Sequence, residues 1–148
     1  MGTKNIRWIW LTGLVFVVAL AGSYLDSAPS AAEARPQTQI IKDITPQEAH
    51  TLIQKHKNNR TFVILDVRTP AEFGGGHIAG AVNLDYYTPT FNDDLNALDK
   101  TRAYLIYCRT ARRSRAALEK MRDFGFREVY HMLGGIVRWE AEGLPMSK

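Results

Sequence analysis

The stretch Ala103-Tyr104-Leu105-Ile106-Tyr107-Cys108-Arg109-Thr110-Ala111-Arg112-Arg113-Ser114 changes character at a single residue. Ala103 to Tyr107 is a continuous apolar run, the pattern of a strand buried on both faces of a parallel sheet. From Arg112 onward the apolar residues recur at helical spacing, with Ala117, Leu118, Met121 and Phe124 on one face and Gly125 as the stop signal. Cys108 falls between strand and helix. A thiol at that junction faces free backbone N–H groups and the positive end of a helix, and both favour thiolate over thiol. Arg109, Arg112, Arg113 and Arg115 crowd around it in sequence. A sulfur or oxyanion bound to it would be held by the same N–H groups.

Outward from this junction the chain alternates strand and helix. Gln39-Ile40-Ile41 predicts a first strand. Thr45-Pro46-Gln47-Glu48 is a capping box with proline at the first helical position, followed by Ala49, Leu52, Ile53 and His56 at helical spacing. Phe62 to Asp66 predicts a buried strand, and Ala81 to Leu84 a short one. Phe91 to Leu98 predicts a helix with Leu95 and Leu98 inward. Val129 to His131 predicts the last strand. Ile136 to Glu142 predicts a final helix, closed by Gly143 and Pro145. Such alternation implies an α/β domain, a parallel sheet with helices on both faces, which binds ligands at the carboxyl ends of its strands.

Composition narrows the function. The 148 residues suffice for one domain, and 45% apolar with 23% charged residues is an ordinary globular balance. A single cysteine excludes a disulfide scaffold, a CxxC redox motif and a multi-cysteine zinc site. The formal net charge is +4. Its concentration beside the only thiol points to a small anionic ligand and away from nucleic acid.

Lys4 and Arg7 precede an uncharged apolar run from Trp8 to Leu25, which Asp26 ends. This is the layout of an export signal or an N-terminal membrane anchor over residues 1–25. Ala32-Glu33-Ala34 has the form of a cleavage site. Residues 26–38, rich in Ser, Ala, Pro and Gln, predict a flexible linker, and residues 39–148 the folded domain. The expected location is periplasmic or otherwise extracytoplasmic, either soluble after cleavage or anchored to the cytoplasmic membrane through residues 8–25.

Three ordered blocks now carry a family resemblance. Tyr107 to Ser114 resembles the active-site loop of the rhodanese sulfurtransferases. Leu65-Asp66-Val67-Arg68-Thr69-Pro70-Ala71-Glu72-Phe73, continuing through Gly76-His77-Ile78-Ala79-Gly80 to Leu84, resembles the first signature of that family. Leu133-Gly134-Gly135-Ile136-Val137-Arg138-Trp139, continuing to Gly143-Leu144-Pro145, resembles its C-terminal signature. The resemblance implies a single rhodanese-like domain with a five-stranded, mainly parallel sheet. It also implies a sulfurtransferase whose cysteine takes a sulfane sulfur from thiosulfate or a related donor. The persulfide so formed passes that sulfur to cyanide or a thiol, with no metal or organic cofactor. Covalent catalysis by one nucleophile fits the residues read above.

On this reading Cys108 is the nucleophile. Arg109, Thr110, Ala111, Arg112, Arg113 and Ser114 form the substrate-binding loop, Arg109 toward the entering anion and Arg113 folded back as a clamp. Thr110 and Ser114 offer hydroxyls, and for Ser114 a plain first-turn helix role is the alternative. The family often carries glycine where this chain has Ala111, so a left-handed angle there would cost about 1 kcal/mol. Asp66, at the end of a buried strand, is expected to pair with an arginine and position the site, and Arg68 belongs to the same supporting network. His77 reads as a hydrogen-bonded turn residue. His50, His56 and His131 show no metal-ligand spacing and read as structural. Trp139 reads as core. Tyr86 and Tyr87 read either as a pocket rim or as surface aromatics.

Two rival functions differ in class. A cysteine phosphatase loop places arginine six residues after the cysteine, to grip a tetrahedral oxyanion; here that position is Ser114. The other rival uses the same cysteine as a persulfide carrier, loaded and unloaded by envelope proteins without turning over free thiosulfate.

Overall fold

The computed structural model describes residues 38–148. The export segment or anchor read at 1–25, and all but the last residue of the linker read at 26–38, lie outside the described residues. Within them the order is β1 (Ile40–Ile44), α1 (Pro46–Lys55), β2 (Phe62–Asp66), α2 (Pro70–Gly74), β3 (Ala81–Asn83), α3 (Phe91–Asn96), β4 (Ala103–Tyr107), α4 (Arg112–Asp123), β5 (Glu128–Met132) and α5 (Gly135–Ala141). The strands pair in the order β1-β5-β4-β2-β3, and every pair is parallel. β4 is therefore central. Its carboxyl end opens onto Cys108.

The residues explain these elements. Thr45 caps α1 as the sequence predicts, with Glu48 returning a bond to the Thr45 N–H at 2.8 Å. The same signature, Thr69-Pro70-Ala71-Glu72, builds α2, with Thr69 N–H donating to Glu72 at 3.0 Å. No helix is predicted there from periodicity, because a five-residue helix is too short to display one. Elsewhere the expected boundaries move by one to three residues, the ordinary fraying of element ends.

Alternation along β4 divides the core between the two faces of the sheet. Tyr104 and Ile106 join Leu65, Leu95, Ala117, Leu118 and Met121 under α3 and α4. Leu105 and Tyr107 join Ile44, Ala49, Met132 and Trp139 under α1 and α5. Cys108 continues the parity of Tyr104 and Ile106, so its side chain belongs to the α4 face. The register of β4 thus aims the thiol at the start of α4.

Trp139 is fully buried, and its indole N–H donates to the Pro145 carbonyl at 3.1 Å. His77 is a turn residue stacked on Phe73 and bonded to the Phe73 carbonyl. Its backbone bridges to Ser147, tying the chain end to the α2–β3 turn. Among the described residues no helix is long and apolar enough to cross a membrane.

Candidate active site

Cys108 is 1% exposed. Burial pushes its thiol pKa up, but the Ser114 hydroxyl and the backbone N–H groups of Ser114, Thr110 and Arg113 donate to the sulfur and outweigh it. The thiol therefore lies below its ordinary value. Three N–H groups converging on one sulfur form a nest for an anion.

The nest is shaped from the far side by α5. The N–H groups of Ile136 and Val137 donate to the carbonyls of Cys108 and Arg109, at 2.9 and 3.2 Å. In a trans peptide, carbonyl and N–H point in opposite directions. Anchoring the Arg109 carbonyl to α5 thus turns the Thr110 N–H toward the sulfur. This contact needs the backbones in close approach. A Cβ on Gly135 would lie 2.4 Å from the Cys108 carbonyl oxygen and 2.5 Å from that of Arg109. Gly134 and Gly135 both hold positive φ, 76° and 61°. The sequence marks this pair as the residues ahead of a helix and as part of the C-terminal signature; its reach to the cysteine loop becomes visible with the β4–α5 packing.

Ala111 has φ 76°, the sole non-glycine residue with positive φ among those described. The angle is thus left-handed, the case in which alanine carries a cost, and alanine accommodates it. Ala111 is also the N-cap of α4 and contributes no side-chain cap. Arg112 and Arg113 occupy the first turn of that helix, where cations oppose the dipole at about 0.3–1 kcal/mol each. The arrangement costs helix stability and concentrates positive potential at the sulfur.

The arginines divide into two kinds. Arg113 makes a two-point contact with Glu72, each bond 2.7 Å, and its guanidinium sits over the Tyr87 ring at 5.4 Å. It folds back as a clamp, with α2 as the partner. Arg115 pairs with Asp43 at the surface. Arg109 and Arg112 are exposed and make no ion pair among the described residues. Arg109 lines a cleft of ≈ 260 Å³ with Arg68, Glu72, Gly76, Ile136 and Val137. Two larger grooves lie against α1 and do not include the cysteine loop.

Asp66 and Arg68 form a buried pair. The Arg68 Nε and Nη2 donate to the carboxylate at 2.9 and 2.7 Å, and Nη2 also reaches the Gly76 carbonyl at 2.7 Å. Their hydrogen bonds fix the cleft wall, and none of them extends to the 108–114 loop. The Thr110 backbone belongs to the nest, and its side chain is exposed.

Ser114 does more than start a helix. Its Oγ lies 3.5 Å from Cys108 Sγ, 3.2 Å from the Ala111 carbonyl and 3.0 Å from His131 Nε2. His131, fully buried on β5, places Nδ1 2.9 Å from Asp43 Oδ1 on β1. Cys108, Ser114, His131 and Asp43 therefore form one hydrogen-bonded chain. Glu72, His131 and Asp43 were missed as site residues from sequence. A search for metal-ligand spacing passes over His131, because its partners come from a neighbouring strand and from α4.

Comparison with known proteins places this site in a family. A family profile described as a rhodanese-like domain matches residues 45–142. The chain is 30% identical over 135 residues to a probable adenylyltransferase/sulfurtransferase MoeZ of Mycobacterium tuberculosis, an alignment covering 91% of this chain and 32% of that protein. The chain thus spans about a third of the length of that relative. It is 33% identical to a thiosulfate sulfurtransferase GlpE of Stutzerimonas stutzeri, covering 67% of this chain and 84% of that one. Among solved structures, a rhodanese-related protein of Thermoplasma volcanium superposes with a TM-score of 0.62 at 26% identity, covering 72% of this chain and 97% of the other. With its parallel five-stranded sheet, its cysteine loop after β4 and a profile match over most of the folded domain, the chain belongs to the rhodanese-like domain family.

Proposed function

We propose that the protein is a sulfurtransferase that carries sulfane sulfur on Cys108, taking it from thiosulfate or a related anionic donor and delivering it to cyanide or a thiol. The observation that carries this reading is a buried sulfur at the start of α4, with the Ser114 hydroxyl 3.5 Å away and the backbone N–H groups of Ser114, Thr110 and Arg113 favouring its thiolate. Such a nest stabilises the thiolate that attacks and the persulfide anion that results. The thiolate attacks the outer sulfur of thiosulfate. A sulfur–sulfur bond forms to Cys108 as the bond to the sulfite group breaks, and sulfite leaves with the electron pair. A nucleophilic acceptor then takes the outer sulfur and restores the thiolate. Arg109 and Arg112, which make no ion pair among the described residues, attract the dianionic donor. The thiosulfate sulfurtransferase name of one relative agrees with this donor.

A phosphatase reading is less favoured. The position that grips phosphate in such loops is Ser114, and the neighbouring Arg113 is already committed to Glu72. We also place the domain outside the cytoplasm. The support is the basic start at Lys4 and Arg7 followed by the uncharged run 8–25.

The test is intact-mass analysis of the protein after thiosulfate, then after cyanide, with Cys108→Ser as control. The expected result is a gain of about 32 Da, absent in the serine variant and lost to cyanide with formation of thiocyanate. No gain would overturn thiosulfate as donor and favour a carrier loaded by a protein partner. Hydrolysis of an aryl phosphate would favour the phosphatase. Fractionation of cells making the full chain tests the location, with recovery in the cytosol as the contrary outcome.

A further inference from the structure

The chain Cys108–Ser114–His131–Asp43 joins four elements: the β4–α4 loop, α4, β5 and β1. Each link is a hydrogen bond of defined chemistry. Asp43 lies below the usual carboxylate range, held there chiefly by Arg115, with burial opposing and His131 adding to it. An ionised carboxylate only accepts, so Nδ1 of His131 carries a proton. In the neutral ring, Nε2 is then a bare lone pair, and it faces Ser114 Oγ at 3.0 Å. The Ser114 hydroxyl has one proton and can also accept one. With Cys108 as thiol, the consistent pattern is S–H to Oγ and O–H to Nε2. With Cys108 as thiolate, both bonds reverse direction.

We propose that Ser114 and His131, with Asp43 behind them, form a proton relay that generates the Cys108 thiolate. The S–H bond breaks and its proton passes to Ser114 Oγ while the hydroxyl proton passes to His131 Nε2. A thiol and an imidazole become a thiolate and an imidazolium, with no change in net charge and no electron transferred. Ser114 touches the reacting sulfur; His131 and Asp43 are positioning residues acting through it. The charged and titratable groups facing the imidazole are Asp43 from β1, Arg115 from α4 through Asp43, and Cys108 through Ser114. Burial, with the Arg115 charge adding to it, lowers the ring's pKa below the ordinary histidine value, and the Asp43 contact opposes that shift. Once protonated, the ring is stabilised by Asp43 and by the nearby Ala111 carbonyl.

This inference rests on Cys108 being the nucleophile, as in the proposed function. Its readout needs no sulfur donor, so the two stand or fall separately. Thiolate is followed by ultraviolet absorbance against pH in the full chain, with Cys108→Ser as blank. In His131→Gln, which keeps a hydrogen-bonding amide but cannot take a proton, the midpoint is expected to rise by about one pH unit. That is about a tenfold loss of thiolate at neutral pH. Asp43→Asn is a half-exposed change that preserves shape and the Nδ1 contact, and it is expected to shift the midpoint in the same direction. At neutral pH, nitrogen chemical shifts of His131 are expected to show an imidazolium fraction that matches the thiolate fraction and is lost in Cys108→Ser. Unchanged midpoints in folded variants would overturn the relay and leave His131 a packing residue. Where His131→Gln does not fold, Asp43→Asn decides the matter alone.

Discussion

Glu72 and Arg113 meet through two hydrogen bonds of 2.7 Å each, and that contact joins the first turn of α2 to the first turn of α4. Glu72 also closes the capping box of α2. One carboxylate therefore holds a helix start and the arginine that ends the cysteine loop. The pairing drives Glu72 down to about 2, with Arg113 the main cause, burial opposing and Thr69 adding to it.

A depressed carboxylate contributes stability above its unfolded pKa and loses it as pH falls through the folded value. For Glu72 that window runs from its ordinary value of 4.5 down to about 2. The pair is partly solvated, so its contribution at neutral pH is about 1–2 kcal/mol. Urea unfolding of Glu72→Gln against the parent should show that difference at pH 7 and a much smaller one near the bottom of the window. An equal difference at both pH values would contradict the assignment.

Gly135 is expected to tolerate no side chain. Its Cβ would overlap the Cys108 and Arg109 carbonyls, and its φ of 61° disfavours alanine independently. Relief requires α5 to retreat, which loosens the bonds that orient the Thr110 N–H. Gly135→Ala should cost about 2–4 kcal/mol in stability. It should lower sulfur transfer at least about tenfold, through loss of one or more cradle donors. Thermal unfolding and cyanide-dependent turnover together check this. Near-parental activity would show that the loop does not depend on the close approach.

What the sequence made legible, and what it did not, follows the range of each interaction. The strand–thiol–helix transition at Cys108 and the capping box at Thr45 are written in adjacent residues, and the structure contains both. For Ala111 the family resemblance raised a left-handed angle only as a condition, and the structure shows φ 76° there. The two-faced core was implied by the buried runs at Phe62–Asp66 and Ala103–Tyr107. Glu72 lay in plain view inside a second Thr-Pro-x-Glu signature, but its partner sits 41 positions away. Asp43 and His131 are 88 positions apart and meet only because β1 pairs with β5 in a register that sets them opposite each other. Side-chain networks of this kind depend on strand order, which spacing along one chain does not encode.

Ala111 gives the converse of the Gly135 prediction. At φ 76° its Cβ is strained, and space is not the constraint. Ala111→Gly should raise stability by about 0.5–1 kcal/mol, the relief of the left-handed penalty less the added freedom of the unfolded chain. The loop geometry is unchanged in this substitution, so turnover should remain near the parental value. A lower urea midpoint would mean that the alanine methyl contributes packing that outweighs its strain.

Arg109 and Arg112 offer the sharpest test of how the donor is attracted. Both are exposed and unpaired among the described residues, unlike Arg113 and Arg115. Their charges act through solvent, so each should contribute about 0.5–1 kcal/mol, a few-fold effect on kcat/KM for a dianionic donor. The loss in Arg109→Ala and Arg112→Ala should appear mainly in KM. It should shrink as ionic strength rises and the screening length falls below about 10 Å. Stability should hold or rise in Arg112→Ala, because a cation is removed from the positive end of α4. An effect confined to kcat and indifferent to salt would instead place the guanidinium against the departing sulfite group in the transition state. Arg109, which lines the cleft, is the residue at which that outcome would appear.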